Sequence, residues 1–165
     1  MKKAYFAGGC FWCITPIFKI YKAASVTSGY SGGDEVNPSY ADVKAQKTGH
    51  RETICVEYDE TRTDYQTLLE IYLANVDPFD AEGQFIDKGF SYTLAIYYTD
   101  EEQRQAAVKA LDSLEKESGR KPAIALEPFK SFYPAEEYHQ DYYLKNPDAF
   151  KRELEESGRN SYFKN

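Results

Sequence analysis

The chain has no hydrophobic run of the ~18 residues needed to cross a bilayer, so no membrane span is expected. It also lacks a surplus of positive charge: 20 Lys and Arg stand against 27 Asp and Glu, a formal net charge of −7. Nucleic acid and anionic membrane surfaces both require a basic face, and this balance argues against either as a partner. Cysteine is scarce and odd in number, three in 165 residues. That excludes the even-numbered disulfide framework of a small secreted domain. It suits a reducing, cytoplasmic compartment in which thiols are catalytic, buried or metal-bound. Repeats, low-complexity stretches and linkers are absent too, so residues 1–165 read as a single domain, long enough to bury a real core. Lys2-Lys3 before Ala4-Tyr5-Phe6-Ala7 resembles the start of a signal peptide, and Gly8-Gly9-Cys10 a lipoprotein cleavage site, but the apolar stretch before Cys10 is too short for a signal core.

What the chain does have is aromatic side chains, 15 Tyr and 10 Phe among them, and one unusual run near its start, Gly8-Gly9-Cys10-Phe11-Trp12-Cys13. Two cysteines at this spacing can approach within disulfide geometry, and a thiol at a turn into a helix can be held partly as thiolate. Phe11 and Trp12 between them suggest an apolar pocket wall beside the sulfur. The chemistry is expected to start at Cys10.

The periodicity predicts a strand over Lys3–Ala7, stopped by the glycine pair, and a helix from about Cys10 to Tyr21 with Phe11, Ile14, Phe18 and Tyr21 at helical spacing. Pro16 leaves two options. Thr15 caps and Pro16 opens the regular helix, or the helix starts at Cys10 and loses one hydrogen bond near Trp12. A second strand is expected over Ser25–Ser28, then a glycine-rich loop at Gly29–Gly33 and irregular surface structure over 34–51. Glu52–Tyr58 alternates as a strand with Ile54, Val56 and Tyr58 on one face. Thr63 and Gln66 read as a capping box for a helix to Ala74, with Leu68, Leu69, Tyr72 and Leu73 as its buried stripe. Residues 78–91 read as loop and Tyr92–Tyr98 as a strand. Thr99 and Glu102 box a long helix that ends at Gly119 and turns Ala107, Leu111 and Leu114 inward. A strand at Ala123–Leu126 and short helices at Pro134–Leu144 and Asp148–Glu156 complete the reading. This order, roughly βαββαβαβα, suits an α+β fold: a two-layer, ferredoxin-like α/β plait, a mixed sheet with helices on one face plus long loops.

Cys55 lies mid-strand and reads as a structural, buried thiol. A zinc site would need two ligands beyond Cys10 and Cys13. His50, His139 and Cys55 are the candidates, there is no second CxxC, and no metal is expected. A general CxxC thiol–disulfide oxidoreductase is the generic alternative. It fits poorly, because Phe and Trp stand where such enzymes keep small residues or proline. His50 reads as a loop organiser and His139 as a hydrogen-bonded structural histidine. The glycines at 29–33 lack the lysine of a phosphate loop.

Gly9-Cys10-Phe11-Trp12 resembles the signature of the peptide methionine sulfoxide reductase A family. The resemblance continues through Gly29-Tyr30-Ser31-Gly32-Gly33, Asn37-Pro38-Ser39-Tyr40, Gly49-His50-Arg51-Glu52, Phe90-Ser91-Tyr92, Phe132-Tyr133-Pro134-Ala135-Glu136 and Tyr138-His139-Gln140-Asp141-Tyr142. Each block alone is weak, but together they run in family order over nearly the whole chain. The resemblance implies a two-layer α/β plait and a repair activity under oxidative stress: reduction of methionine-S-sulfoxide, free or in proteins, to methionine, without a cofactor. It implies that Cys10 attacks the sulfoxide sulfur and that Glu52, with a pKa raised by burial, supplies the proton. Tyr40 and Tyr92 would hydrogen-bond the sulfoxide oxygen, Phe11 and Trp12 would hold the S-methyl group, and Asp87 would line the cleft. A helix N-terminus would help to lower the Cys10 pKa. Many family members keep recycling cysteines in a C-terminal tail, and this tail has none. Cys13 stands where other members often carry glycine, so the resemblance implies that Cys13, with Cys55 the less favoured alternative, resolves the Cys10 sulfenic acid as a disulfide, which thioredoxin or a similar dithiol would reduce.

Overall fold

Apolar residues alternating with a period of two build the centre of the molecule. In the computed structural model, which describes residues 1–20, 25–159 and 162, they lie on a six-stranded mixed sheet. Strand β1 (Lys2–Gly8) leads into helix α1 (Phe11–Ile20), β2 (Ser25–Ser31), the short helix α2 (Tyr40–Lys44), β3 (Arg51–Tyr58) and α3 (Tyr65–Ala74). A small hairpin of β4 (Gly83–Gln84) and β5 (Asp87–Lys88) precedes β6 (Leu94–Tyr98) and α4 (Glu101–Ser118). The chain continues through β7 (Ile124–Pro128), β8 (Phe132–Pro134), α5 (Tyr142–Lys145) and α6 (Pro147–Glu156). The order across the sheet is β7-β6-β1-β3-β2-β8, antiparallel throughout except for the β6–β7 edge.

Ala4, Phe6, Ile54, Val56, Leu94 and Ile96 face one way and are buried with Phe11, Ile14 and Phe18 of α1, Leu68, Leu69 and Tyr72 of α3, and Ala107 of α4. Tyr5, Ala7, Cys55, Ala95 and Tyr97 face the other way, packed against Phe129 and Phe132. Full burial of one such side chain contributes about 1.5–3 kcal/mol. A one-residue slip of β3 would turn Ile54 and Val56 off the helix-covered face, so the register is firmly set. The same register fixes Glu52. It lies two residues before Ile54, opposite Tyr30 of β2, and its carboxylate reaches the first amide of α1.

Several expectations from the sequence need correction. The Gly29–Gly33 segment is not all loop: Gly29, Tyr30 and Ser31 continue β2 and pair with both β3 and β8. The 34–51 stretch contains α2, capped by the Ser39 hydroxyl accepting from the Asp42 amide. Helix α3 is capped by Asp64 rather than Thr63, and α4 by Asp100 rather than Thr99. In each case the carboxylate outcompetes the neighbouring hydroxyl for the exposed amides, as an anion at a helix N-terminus should. Tyr92 belongs to a 3-10 turn, Phe90–Tyr92, and not to β6. The helix expected over Pro134–Leu144 divides into a 3-10 turn, Glu137–His139, and α5, with Asp141 between them at φ 53°. Pro16 lies inside α1, so of the two options the helix starts early and forgoes one bond. Tyr21, expected on that helix, lies outside the described residues. Among the described residues no helix is long and apolar enough to cross a membrane.

Candidate active site

The turn from β1 into α1 sets the position of the first thiol. A Cβ on Gly8 would come within 2.3 Å of Ile14 Cδ1, and Gly9 has φ +86°, a backbone conformation that favours glycine. Cys10 therefore stands immediately before the first residue of α1, and its carbonyl accepts the Cys13 amide at 3.1 Å. Cys10 is partly exposed while Cys13 is buried one turn below it.

The two thiols share a hydrogen bond, and that bond decides their acidities. It holds the Cys10 proton and, with burial and the nearby Cys13 and Glu52 charges, pushes the Cys10 thiol well above its ordinary value. The same bond lowers Cys13; burial opposes the effect and the Arg159 guanidinium assists it. The direction at Cys10 is opposite to the lowering expected from the helix N-terminus. Of the two thiols, Cys13 is the one whose pKa the site lowers.

Glu52 is 1% exposed. Its Oε1 accepts the Phe11 amide at 3.2 Å, and its Oε2 is buried without a hydrogen-bond partner. Burial dominates and raises the carboxyl to about 8, with the Asp87 and Cys13 charges in the same direction and the Phe11 amide opposing. At neutral pH this carboxyl therefore carries a proton with no resident acceptor for it.

Tyr40, at the start of α2, and Tyr92, at the end of the 3-10 turn before β6, share a hydrogen bond. Burial raises both phenols far above their ordinary range, with Glu52 and Cys10 adding to the effect. They are permanently neutral donors. Gln46 joins the two segments: its Nε2 donates to Ser91 Oγ at 2.8 Å and its Oε1 accepts the Ser91 amide at 2.9 Å. Asp87 on β5 is part-buried, and its carboxyl is raised by burial although the Arg159 charge pulls the other way.

The two aromatics between the cysteines differ in placement. Phe11 is buried behind the cleft, its ring 5.9 Å from Tyr30 and 5.1 Å from His139. Trp12 is half-buried, stacked 4.0 Å from Tyr142, and donates its indole N–H to His139 Nδ1 at 2.9 Å. Burial lowers the His139 pKa, while the Glu136 charge pulls the other way. The imidazole of His50 accepts the Gly33 amide at 3.2 Å and reaches the Glu35 carbonyl at 2.8 Å, the loop-organising part expected for it. Cys55 lies on the opposite sheet face beside Tyr5. Among the described residues no three metal-ligating side chains gather.

The structure thus brings Cys10, Cys13, Glu52, Tyr40, Tyr92 and Asp87 to one place, with Trp12 at the rim. Besides Gln46, sequence reasoning missed two neighbours. Glu136 accepts the Tyr30 hydroxyl at 2.8 Å and the Tyr40 amide at 3.1 Å. Arg159, in the polar C-terminal region, reaches the Gly8 carbonyl at 3.3 Å across 151 residues. Nothing in the local pattern around either residue signals the contact.

A family model described as peptide methionine sulfoxide reductase matches residues 2–165. A peptide methionine sulfoxide reductase MsrA of Halalkalibacterium halodurans is 45% identical over 166 residues, spanning 98% of this chain and 94% of its own. An MsrA 2 of Staphylococcus aureus is 44% identical over 167 residues, with the same coverage of both chains. Among solved structures, reduced Mxr1 of Saccharomyces cerevisiae superposes with a TM-score of 0.84 at 29% identity, covering 89% of this chain and 86% of that one. Methionine sulfoxide reductase A of Corynebacterium diphtheriae gives 0.79 at 26% identity, over 88% and 75% of the two chains.

Proposed function

The chain belongs to the peptide methionine sulfoxide reductase family, and on that premise we propose that it reduces methionine-S-sulfoxide, free or in proteins, through Cys10. Reduction of methionine sulfoxide is its activity, and a general thiol–disulfide exchanger is not favoured. The observation that carries the proposed chemistry is Glu52: a buried carboxyl, raised to about 8, with one oxygen unpartnered beside the Cys10 thiol.

A sulfoxide oxygen leaves poorly until it is protonated. In the proposed first step the Cys10 sulfur attacks the sulfoxide sulfur while Glu52 supplies a proton to the oxygen. Tyr40 and Tyr92 steady the developing charge as neutral donors that do not compete as nucleophiles. The Cys10 proton has an acceptor already in place, the Cys13 sulfur across their shared bond. The products are methionine and the Cys10 sulfenic acid. Trp12 offers the exposed ring surface for the S-methyl group with Phe11 as its backing, and Asp87 lines the same cleft. In the second step Cys13, carrying the proton it took from Cys10, attacks the sulfenic sulfur and passes that proton to the departing oxygen, which leaves as water, and a Cys10–Cys13 disulfide remains. Thioredoxin or a similar dithiol returns both sulfurs to thiols.

The same reading takes the fold as a single-domain ferredoxin-like plait. Strands β6-β1-β3-β2, antiparallel and linked through α1 and α3, support it. Three free cysteines suit a reducing cytoplasm.

The test is turnover of the two separated methionine sulfoxide epimers with dithiothreitol. The S epimer is expected to be reduced and the R epimer spared, and Cys10→Ser should abolish methionine formation. With thioredoxin as reductant, Cys13→Ser should release about one equivalent of methionine and then stall; sustained cycling would reject Cys13 as the resolving thiol.

A further inference from the structure

The turn that presents Tyr92 has little of its own to hold it. The Tyr92 amide donates to the Gly89 carbonyl and the Thr93 amide to the Phe90 carbonyl, both at 3.0 Å. Hydrogen bonds of this 3-10 kind have poorer geometry than those of an α-helix. Side chains from two other segments supply the rest. From β3, Arg51 Nε donates to Thr93 Oγ1 at 2.8 Å and the guanidinium lies 4.4 Å from the centre of the Phe90 ring. Thr93 Oγ1 in turn donates to the Phe90 carbonyl at 2.6 Å. Both ends of the turn are thereby tied to the strand that carries Glu52.

The middle of the turn is tied to α2 instead. Gln46 stands two residues beyond that helix, and its side-chain amide is used at both ends. Nε2 donates to the Lys44 carbonyl at 3.0 Å and to Ser91 Oγ at 2.8 Å, while Oε1 accepts the Ser91 amide at 2.9 Å. The backbone is built around this amide. Gly89, at φ +125°, leaves the space it fills, since a Cβ there would come within 2.7 Å of Gln46 Nε2. Gln46 itself stands at φ 63°, a left-handed conformation that costs a residue with a side chain more than it costs glycine. A long side chain held at such a position has a use for its far end.

We propose that Gln46 is a positioning residue for the sulfoxide chemistry: it locks the Phe90–Tyr92 turn to the segment that begins at Tyr40, so that both phenols meet one sulfoxide oxygen. This rests on Tyr40 and Tyr92 as donors to that oxygen, as set out above. Gln46 hydrogen-bonds neither phenol and acts through the placement of Tyr92. Tyr40 keeps a tie of its own, its amide bonding Glu136 at 3.1 Å. Loss of the Gln46 amide therefore releases Tyr92 and leaves Tyr40 in place.

The experiment mixes pre-reduced enzyme with methionine-S-sulfoxide by rapid quench and reads the methionine burst, its maximum rate and its half-saturating concentration. Gln46→Gly removes the amide and suits the left-handed backbone, and it is made in two backgrounds. In Tyr40→Phe, where Tyr92 is the remaining phenol donor, Gln46→Gly should slow the burst about tenfold, as a misplaced catalytic group does. The half-saturating concentration should stay within about twofold, because the loss falls on the transition state and not on binding. In Tyr92→Phe the same change should cost less than about twofold, since the hydroxyl it places is already gone. No loss in Tyr40→Phe overturns the inference. So do equal losses in the two backgrounds, which mark a general structural part. A wild type without a burst overturns the proposed function instead, and a Tyr40→Phe/Tyr92→Phe double variant at the wild-type rate overturns the donor role of the phenols. Should Gln46→Gly not fold, Gln46→Asn decides by the same two comparisons: asparagine tolerates the left-handed backbone and is too short to reach Ser91.

Discussion

Two glutamates flank one aromatic cluster, and the site has made opposite things of them. Glu52 accepts a single hydrogen bond, from the Phe11 amide, and leaves its other oxygen bare in a buried setting; its carboxyl rises to about 8. Around Glu136 burial also works to raise the value. There the bonds from its own amide, the Tyr30 hydroxyl and the Tyr40 amide outweigh burial and leave the carboxyl below its ordinary range. The two regions are joined by Phe11, whose ring lies 5.9 Å from Tyr30 and 6.4 Å from Tyr40. Proximity to the cluster is common to both, so the number of donors decides which carboxyl keeps a proton. One is held ready as an acid. The other is an anionic staple that fixes the start of α2, and with it Tyr40.

The strongest way to break this contrast is to remove each carboxyl in turn. Glu52→Gln keeps shape and loses the transferable proton, so methionine-forming turnover should fall about 10²–10⁴-fold, the usual worth of a general acid. Its melting temperature at pH 7 should not drop. Glu136→Gln should keep turnover within about tenfold and lose about 1–3 kcal/mol of stability, because buried donors lose a charged acceptor. Equal kinetic losses in the two variants would dissolve the distinction.

A pH series sharpens it next. The Glu52 carboxyl stays protonated in the fold up to about 8, whereas its ordinary value is 4.5. Between those values the native state binds the extra proton, so stability falls as pH rises, by about 1.4 kcal/mol per pH unit from this group. Glu136 has the reverse sign: its contribution is present above the ordinary glutamate range and is lost as pH falls through its lowered native value. Urea unfolding at pH 5, 6, 7 and 8 should show the downward slope in wild type and Glu136→Gln, and a flatter line in Glu52→Gln. Turnover should also fall as pH passes about 8. Parallel lines for wild type and Glu52→Gln would mean that Glu52 ionises normally.

The contrast also shows what a sequence can and cannot display. Glu52 is legible through the motif Gly49-His50-Arg51-Glu52, whereas the period-two pattern of Ile54, Val56 and Tyr58 alone leaves it a solvated strand-end carboxylate. The raised carboxyl followed from expecting burial there. The thiol pair was legible as a pair, but its polarity was not. A helix N-terminus argues for a lowered Cys10, whereas the bond between the thiols raises Cys10 and lowers Cys13, with Glu52 adding to the first shift and Arg159 to the second. Glu136 stood inside a recognised block, yet its bonds to Tyr30 and Tyr40 cross 106 and 96 residues. Gln46 and Arg159 gave no local sign at all. Next to Thr63 and Thr99, the aspartate one residue on holds the better acceptor. Short-range pattern reads strands, helices and motifs; contacts between side chains remote in sequence arise only when the sheet brings them together.

The finest test lies in a single hydroxyl. Tyr30 is fully buried, and Tyr30→Phe preserves the ring contacts with Phe11 while deleting the 2.8 Å bond to Glu136. Glu136 keeps the Tyr40 amide, so the cost should be about 1–1.5 kcal/mol, below that of Glu136→Gln. The two changes share one interaction, so the double variant should cost less than the sum of the singles, by roughly the energy of that bond. Turnover should change less than about threefold, since neither the Glu52 proton nor the thiols are touched. A rate loss in Tyr30→Phe approaching that of Glu52→Gln would show that the anionic and acidic carboxyls act as one network, and that the proton on Glu52 depends on the charge retained at Glu136.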